Sequence, residues 1–138
     1  MTFEAREQRL LQNYRMLEND LDRFDWIIQK GLSLKDKNVT ERIESKRIDS
    51  CDSGLWMTVS EQEGKIQVSI SSDALLVQGV ASLAAELVEG LTIDEALLVD
   101  ENFPDKLYGD NIITPQRCAS LKEILYRIRK YAEAWKKG

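Results

Sequence analysis

Two neighbouring stretches near the middle of the chain, residues 55–60 and 65–70, carry an aliphatic or methionine side chain at every second position. This period is typical of β-strands that bury one face, and the polar, glycine-containing residues 61–64 between them predict a hairpin. The shorter stretch 47–49 predicts a third strand. A sheet with one buried face must be covered by helices. The sequence therefore predicts an α+β fold with a three-stranded antiparallel sheet packed against helices.

Helices are predicted on both sides of the strands. Between residues 4 and 31 the apolar residues recur at gaps of three and four, which is the period of a helix face. Asn19 and Asp20 are suited to cap a second helix within this span, and Gly31 is suited to end it. Residues 33–45 predict a loop. The predicted buried stripe consists of Leu10, Tyr14, Leu17, Leu21, Phe24 and Ile28, and it is widened by Leu11 and Ile27.

Three more helices are predicted after the strands. Residues 71–73 offer Ser and Asp side chains that can cap an apolar central helix, and Asp73 has capping alone as its simplest role. Thr92 and Glu95 have the spacing of a capping box. Thr114 followed by Pro115 marks the start of the last helix. Its regular apolar stripe consists of Cys118, Leu121, Leu125, Ile128, Ala132 and Trp135.

Composition and charge exclude several classes of function. The 138 residues suit a single domain, residues 1–138. They contain no apolar run of membrane-spanning length, so we expect a cytoplasmic protein. We also expect a monomer or weak dimer. With no His, a Cys-His catalytic pair is excluded, and two Cys alone cannot complete the usual four-ligand zinc site, so we expect no metal. Residues 51–113 carry twelve acidic and two basic side chains. That excess repels phosphates and argues against binding to nucleic acid.

Cys51 is the candidate reactive residue. It lies among turn-forming residues, Ser50 before it and Asp52, Ser53 and Gly54 after it, which predict a loop tip. An inert buried thiol remains the alternative, because free Cys is often buried. Cys118, by contrast, falls on the apolar stripe of the last helix and is predicted to face the core.

Four blocks of this sequence, in order along the chain, match a known family pattern. The blocks are Phe-Asp-Trp-Ile-Ile-Gln-Lys-Gly at 24–31, Cys-Asp-Ser-Gly-Leu-Trp at 51–56, Ser-Asp-Ala at 72–74 with Val-Gln-Gly-Val at 77–80, and Thr-Pro-Gln-Arg at 114–117 continuing to Leu121. Together they resemble the SufE-like sulfur acceptor family. Three positions differ from the usual pattern: Ser50 and Ser120 stand where Gly is usual, and Asp52 stands where Gln is common.

The resemblance implies a fold shared with the scaffold protein IscU and a role in iron–sulfur cluster assembly. Cys51 would accept a persulfide sulfur from a pyridoxal-phosphate-dependent cysteine desulfurase, stimulate that enzyme, and pass the sulfur to a scaffold complex. The chain itself would bind no cofactor, since the pyridoxal phosphate is held by the desulfurase. The resemblance places Asp73 and Arg117 close to the Cys51 loop, which family members shelter until the partner draws it out.

The charges around Cys51 give a second reason to consider Arg117 as a site residue. The acids Asp49 and Asp52 flank Cys51 and disfavour its ionisation, while Arg117 lies in the first turn of a helix, where the helix dipole disfavours a cation. We therefore expect Arg117 to support the thiolate, unless ionisation is completed inside the desulfurase pocket.

Three other functions remain open from the sequence. An IscU-like scaffold would need more ligands than Cys51 supplies. A thiol-redox protein would need Cys118 to reach Cys51 as a resolving thiol. In a non-catalytic interaction domain, Cys51 would be incidental.

Overall fold

The computed structural model describes residues 2–35, 42–107 and 112–138. In this described part of the chain, five α-helices and two strands are connected by loops and two short 3₁₀ helices, Glu44–Lys46 and Phe103–Lys106. In chain order the elements are α1 (Phe3–Arg15), α2 (Asp20–Lys35), β1 (Leu55–Gln62), β2 (Lys65–Ser72), α3 (Leu75–Val88), α4 (Ile93–Ala96) and α5 (Pro115–Lys137). The α+β prediction is confirmed. None of the described helices is both long and apolar enough to span a bilayer.

The predicted hairpin is confirmed, with a tighter turn than expected. β1 and β2 pair antiparallel from Leu55 opposite Ser72 to Gln62 opposite Lys65. The connection is thus two residues long. Both of them have positive φ, 54° at Glu63 and 79° at Gly64, which suits the twist of a hairpin.

The third strand is a wrong prediction: within the described residues the sheet has two strands. Arg47 forms an isolated bridge with Trp56, and the Ile48 N–H donates to the Leu55 carbonyl at 2.7 Å. A 3₁₀ helix ends at Lys46 and a turn begins at Asp49. Only two extended residues remain between them, too few for a strand.

The apolar helix α3 is the centre of the core, as predicted, and α2 crosses it at two glycines. A Cβ on Gly31 would lie 2.7 Å from the backbone nitrogen of Gly79, and a Cβ on Gly79 would lie 2.3 Å from the Ile27 carbonyl oxygen. Gly31 was predicted to end α2, and this prediction is wrong. Gly31 lies inside α2 and permits backbone contact with α3. The helix continues to Lys35.

The N-terminal span divides into two helices at the predicted cap, where the Asn19 side chain accepts a hydrogen bond of 2.9 Å from the first turn of α2. This division overturns part of the predicted buried stripe. Leu21 is 76% exposed and Phe24 is 41% exposed, because the buried face of α2 is centred on Ile27 and Gly31 instead. The predicted loop at 33–45 is also partly wrong, since 33–35 are helical, and residues 36–41 lie outside the described part of the chain.

Of the three helix caps predicted after the strands, two are confirmed. Thr92 and Glu95 form the capping box of α4, and the Thr114 side chain caps α5, with Pro115 as its first residue. At α3, however, the capping residue is Ala74, and among the described residues no side chain caps the first turn.

Candidate functional site

Cys51 lies in the loop between the first 3₁₀ helix and β1. The chain turns there as predicted, and the Cys51 N–H donates to the Ile48 carbonyl at 3.3 Å. Yet the thiol side chain is not at an exposed tip, because Cys51 is only 5% exposed. Its neighbours Asp52 and Ser53 are exposed. The burial arises because Ile48 and Leu55, on either side, are both core residues.

A cavity of about 80 Å³ adjoins Cys51. Its apolar lining comes from α3 and α5 and includes Val80, Leu121 and Ile124, while Arg117 is among its polar lining residues. Roughly 10–15 Å³ is enough to hold one water-sized group. The cavity therefore has room for an additional sulfur atom on Cys51.

Arg117 is brought to the same cavity as Cys51. Its Nη1 donates to the Ile112 carbonyl at 2.8 Å, which explains what holds a cation in the first turn of α5. A guanidinium carries five N–H donors and a fixed positive charge. Its presence beside the cavity favours an anion there.

Asp73 is not among the described residues that line the cavity. It forms an exposed ion pair with Arg42, whose guanidinium also lies 4.8 Å from the centre of the Trp56 ring. The last residue of β2 supports the Cys51 loop instead. The Ser72 hydroxyl donates to the Gly54 carbonyl at 2.8 Å.

A polar face of α5, which we name the clasp face, holds the other side of the loop; it consists of Gln116, Ser120, Glu123 and Arg127. The spacing of four, three and four residues places these side chains on one side of the helix. The sequence reasoning did not identify Glu123 and Arg127 as site residues. Their regular spacing beside the apolar stripe was the available signal.

Glu123 makes the principal contact of the clasp face. One carboxylate oxygen accepts from the Ser50 backbone N–H at 2.8 Å, and the other accepts from the Asp49 backbone N–H at 3.0 Å. Arg127 lies 2.6 Å from the Glu123 carboxylate and 3.3 Å from that of Asp49. Burial opposes ionisation of Glu123, but the hydrogen bonds from Ser50 and Asp49, together with the charge of Arg127, lower its pKa below the ordinary value.

Two further contacts extend the clasp face toward Cys51. The Gln116 side-chain nitrogen donates to the Asp52 carboxylate at 2.7 Å. The Ser120 hydroxyl lies 3.5 Å from the Ser50 carbonyl oxygen. Ser50 and Ser120, the two positions that depart from the usual glycines, are thus in contact with each other.

Cys118 has a different environment. It is 5% exposed on α5, as predicted, and its sulfur lies 3.7 Å from the Asp105 carboxylate. Burial, and then the Asp105 charge, raise the pKa of Cys118, although Lys122 opposes this. Cys118 is not among the described residues that line the Cys51 cavity. Nor does the described part of the chain gather three or more Cys, Asp or Glu side chains in a metal-binding arrangement.

Comparisons with known proteins agree with this fold and these motifs. The model of the SufE family, described as an Fe–S metabolism associated domain, matches residues 8–132. A solution structure of a hypothetical protein from Thermus thermophilus superposes with a TM-score of 0.78 at 20% sequence identity. The alignment covers 96% of this chain and 97% of that one. At this identity the structural likeness shows a shared fold.

Proposed function

The chain belongs to the SufE family, whose domain is associated with Fe–S metabolism, and we propose that Cys51 accepts a sulfane sulfur from the persulfide of a pyridoxal-phosphate-dependent cysteine desulfurase. One observation carries this proposal. The signature cysteine lines a small cavity whose other lining residues include apolar side chains of α3 and α5 together with Arg117. Such a cavity can store a persulfide away from water and soluble thiols.

The proposed reaction needs no oxidant. The Cys51 thiolate attacks the outer sulfur of the donor persulfide, forming a new S–S bond as the donor S–S bond breaks. The donor cysteine leaves as a thiolate, and Cys51 becomes a persulfide. The same exchange, with Cys51 now as the donor, passes the sulfur to an acceptor such as an iron–sulfur scaffold complex.

Arg117 is proposed to stabilise the anionic sulfur. Sulfur exchange depends on the negatively charged thiolate form. Gln116 holds the Asp52 carboxylate at the exposed surface, and Asp49 pairs with Arg127 there. The fixed positive charge of Arg117 lies beside the cavity that Cys51 lines and attracts an anion.

The test is the turnover of a purified cysteine desulfurase with cysteine as substrate, measured as alanine release with and without this chain. The wild-type chain should increase turnover severalfold, because it removes the enzyme-bound sulfur. Cys51→Ser should abolish the increase, and Cys118→Ser, the matched control, should retain it. An equal increase with Cys51→Ser would contradict the proposal.

A further inference from the structure

We infer that Glu123 is a positioning residue that holds the Cys51 loop closed against α5, so that its two hydrogen bonds set how readily the thiol becomes accessible. This inference rests on the proposed role of Cys51 as the sulfur-accepting residue. It adds that Glu123 governs how accessible the Cys51 thiol is.

Access to Cys51 requires movement of the loop. A cysteine that is 5% exposed beside a cavity of about 80 Å³ can hold an extra atom but cannot admit the active site of a second protein. The loop that carries Cys51 must therefore leave its position for transfer to occur. The contacts that it breaks determine the cost of that movement.

Glu123 makes two of those contacts with one side chain. Its carboxylate accepts from consecutive backbone N–H groups at 3.0 and 2.8 Å, immediately before Cys51 in the chain. Hydrogen bonds to a charged acceptor are stronger than those between neutral groups. Arg127, four residues along the same helix, holds the carboxylate in place at 2.6 Å.

The rest of the clasp face acts in the same direction. Gln116 holds the Asp52 side chain on the other side of Cys51 at 2.7 Å, and Ser120 contacts the Ser50 carbonyl between them. Cys51 thus lies between two anchored neighbours. Because all of these contacts involve side chains of α5, a partner that displaces the loop breaks them without disturbing the backbone of the helix.

Site-resolved alkylation tests this inference without any sulfur donor. The native protein is treated with iodoacetamide, and modification of Cys51 and Cys118 is followed separately by peptide mass analysis. Glu123→Ala should increase the Cys51 rate about tenfold or more, which corresponds to about 1.4 kcal/mol, since both charge-assisted hydrogen bonds to the loop are lost. Cys118, which is exposed only by global unfolding, should gain no more than the change in global stability that urea unfolding measures.

Glu133→Ala is the matched control, because it removes the same charge from the same helix, where Glu133 pairs with Arg129 and Lys130. It should leave both rates unchanged. If Glu123→Ala does not fold, Glu123→Asp replaces it, since the shorter side chain keeps the charge but cannot reach both N–H groups. An unchanged Cys51 rate, or a Cys51 rate that rises with urea as steeply as the Cys118 rate, would overturn the inference.

This experiment separates two failures. A chain whose Cys51 accepts no sulfur from a desulfurase can still show the Glu123 effect on alkylation. A chain that accepts sulfur can equally show no effect of Glu123 on alkylation. The desulfurase assay and the alkylation assay therefore test the function and the positioning residue independently.

Discussion

Cys51 and Cys118 are equally buried, each 5% exposed, but different structures hold them. Cys118 is part of α5, and its backbone N–H donates to the Thr114 carbonyl at 2.9 Å. Cys51 lies in a loop that is held against the rest of the chain in part by side chains of that same helix. Exposing Cys118 requires disruption of the helix or its packing, whereas exposing Cys51 requires the loss of a few tertiary hydrogen bonds. The exposed fraction alone therefore does not distinguish an inert thiol from a stored reactive one.

The difference predicts two routes of exposure. Proteins open locally at free energies well below that of global unfolding, and loops with few backbone hydrogen bonds are among the first segments to open. We expect Cys51 to be reached through such a local opening and Cys118 only through global unfolding.

The largest effect is expected from Gly79→Ala, which changes global stability. The new Cβ would lie 2.3 Å from the Ile27 carbonyl oxygen, and we expect a loss of about 3 kcal/mol in the free energy of unfolding because the helices must separate. The Cys118 alkylation rate should rise about a hundredfold, because each loss of about 1.4 kcal/mol increases the unfolded fraction tenfold. The alkylation rate of Cys51 should change much less. Urea unfolding measures the stability, and Gln29→Ala, at an exposed position of α2, is the control.

Equal increases at both cysteines in Gly79→Ala would contradict the comparison. They would mean that Cys51 also becomes accessible only when the whole chain unfolds.

A smaller and local effect is expected from Gly54→Ala. Gly54 has φ +76°, and a Cβ there would lie 2.9 Å from the Trp56 ring. Gly64 has φ +79° and no atom within 4 Å of the position that a Cβ would take, so Gly64→Ala isolates the backbone strain of about 1–2 kcal/mol. Gly54→Ala should cost more stability than this control in urea unfolding. Gly54→Ala should also increase the Cys51 alkylation rate severalfold, whereas Gly64→Ala should not. Equal effects of the two variants on Cys51 would show that the loop does not depend on this contact.

The smallest effect concerns the pH dependence of Cys118. Because burial and Asp105 raise its pKa, the Cys118 alkylation rate should reach its midpoint above the ordinary thiol value of about 8.5. The stability contributed by the protonated thiol is complete below about pH 8.5 and is lost as pH rises toward the folded-state pKa. Asp105→Asn should lower the midpoint, since one source of negative charge is removed while burial remains.

The control for that pH profile is Asp94→Asn, because Asp94 pairs with Lys136 and is not a partner of Cys118. A wild-type midpoint at or below about 8.5 would contradict the assigned environment of Cys118.

The features that the sequence predicted well are those that depend on neighbouring residues. The hairpin follows from a period of two, and the caps at Thr92 and Thr114 follow from contacts only three residues apart. The burial of Cys118 follows from the apolar stripe of its own helix. In each case the local pattern and the final environment agree.

The features that were missed depend on distant partners. Gly31 is suited by itself to end a helix, and only the approach of Gly79 shows that it serves a helix crossing. The contact between Ser50 and Glu123 spans 73 residues, so no local pattern reveals it. Arg117 was placed near Cys51 through the family resemblance, and its ordering by the Ile112 carbonyl became evident only in the structure.

The central claim is that Cys51 receives sulfur while the equally buried Cys118 does not. Its most direct test is to incubate the chain with a cysteine desulfurase and cysteine, and then to locate added sulfur by intact-mass and peptide-mass analysis without reductant. We predict one added sulfur atom, located on Cys51, removed by reductant and absent from Cys51→Ser. Sulfur on Cys118, or a chain that stays unmodified while the desulfurase turns over, would contradict the account.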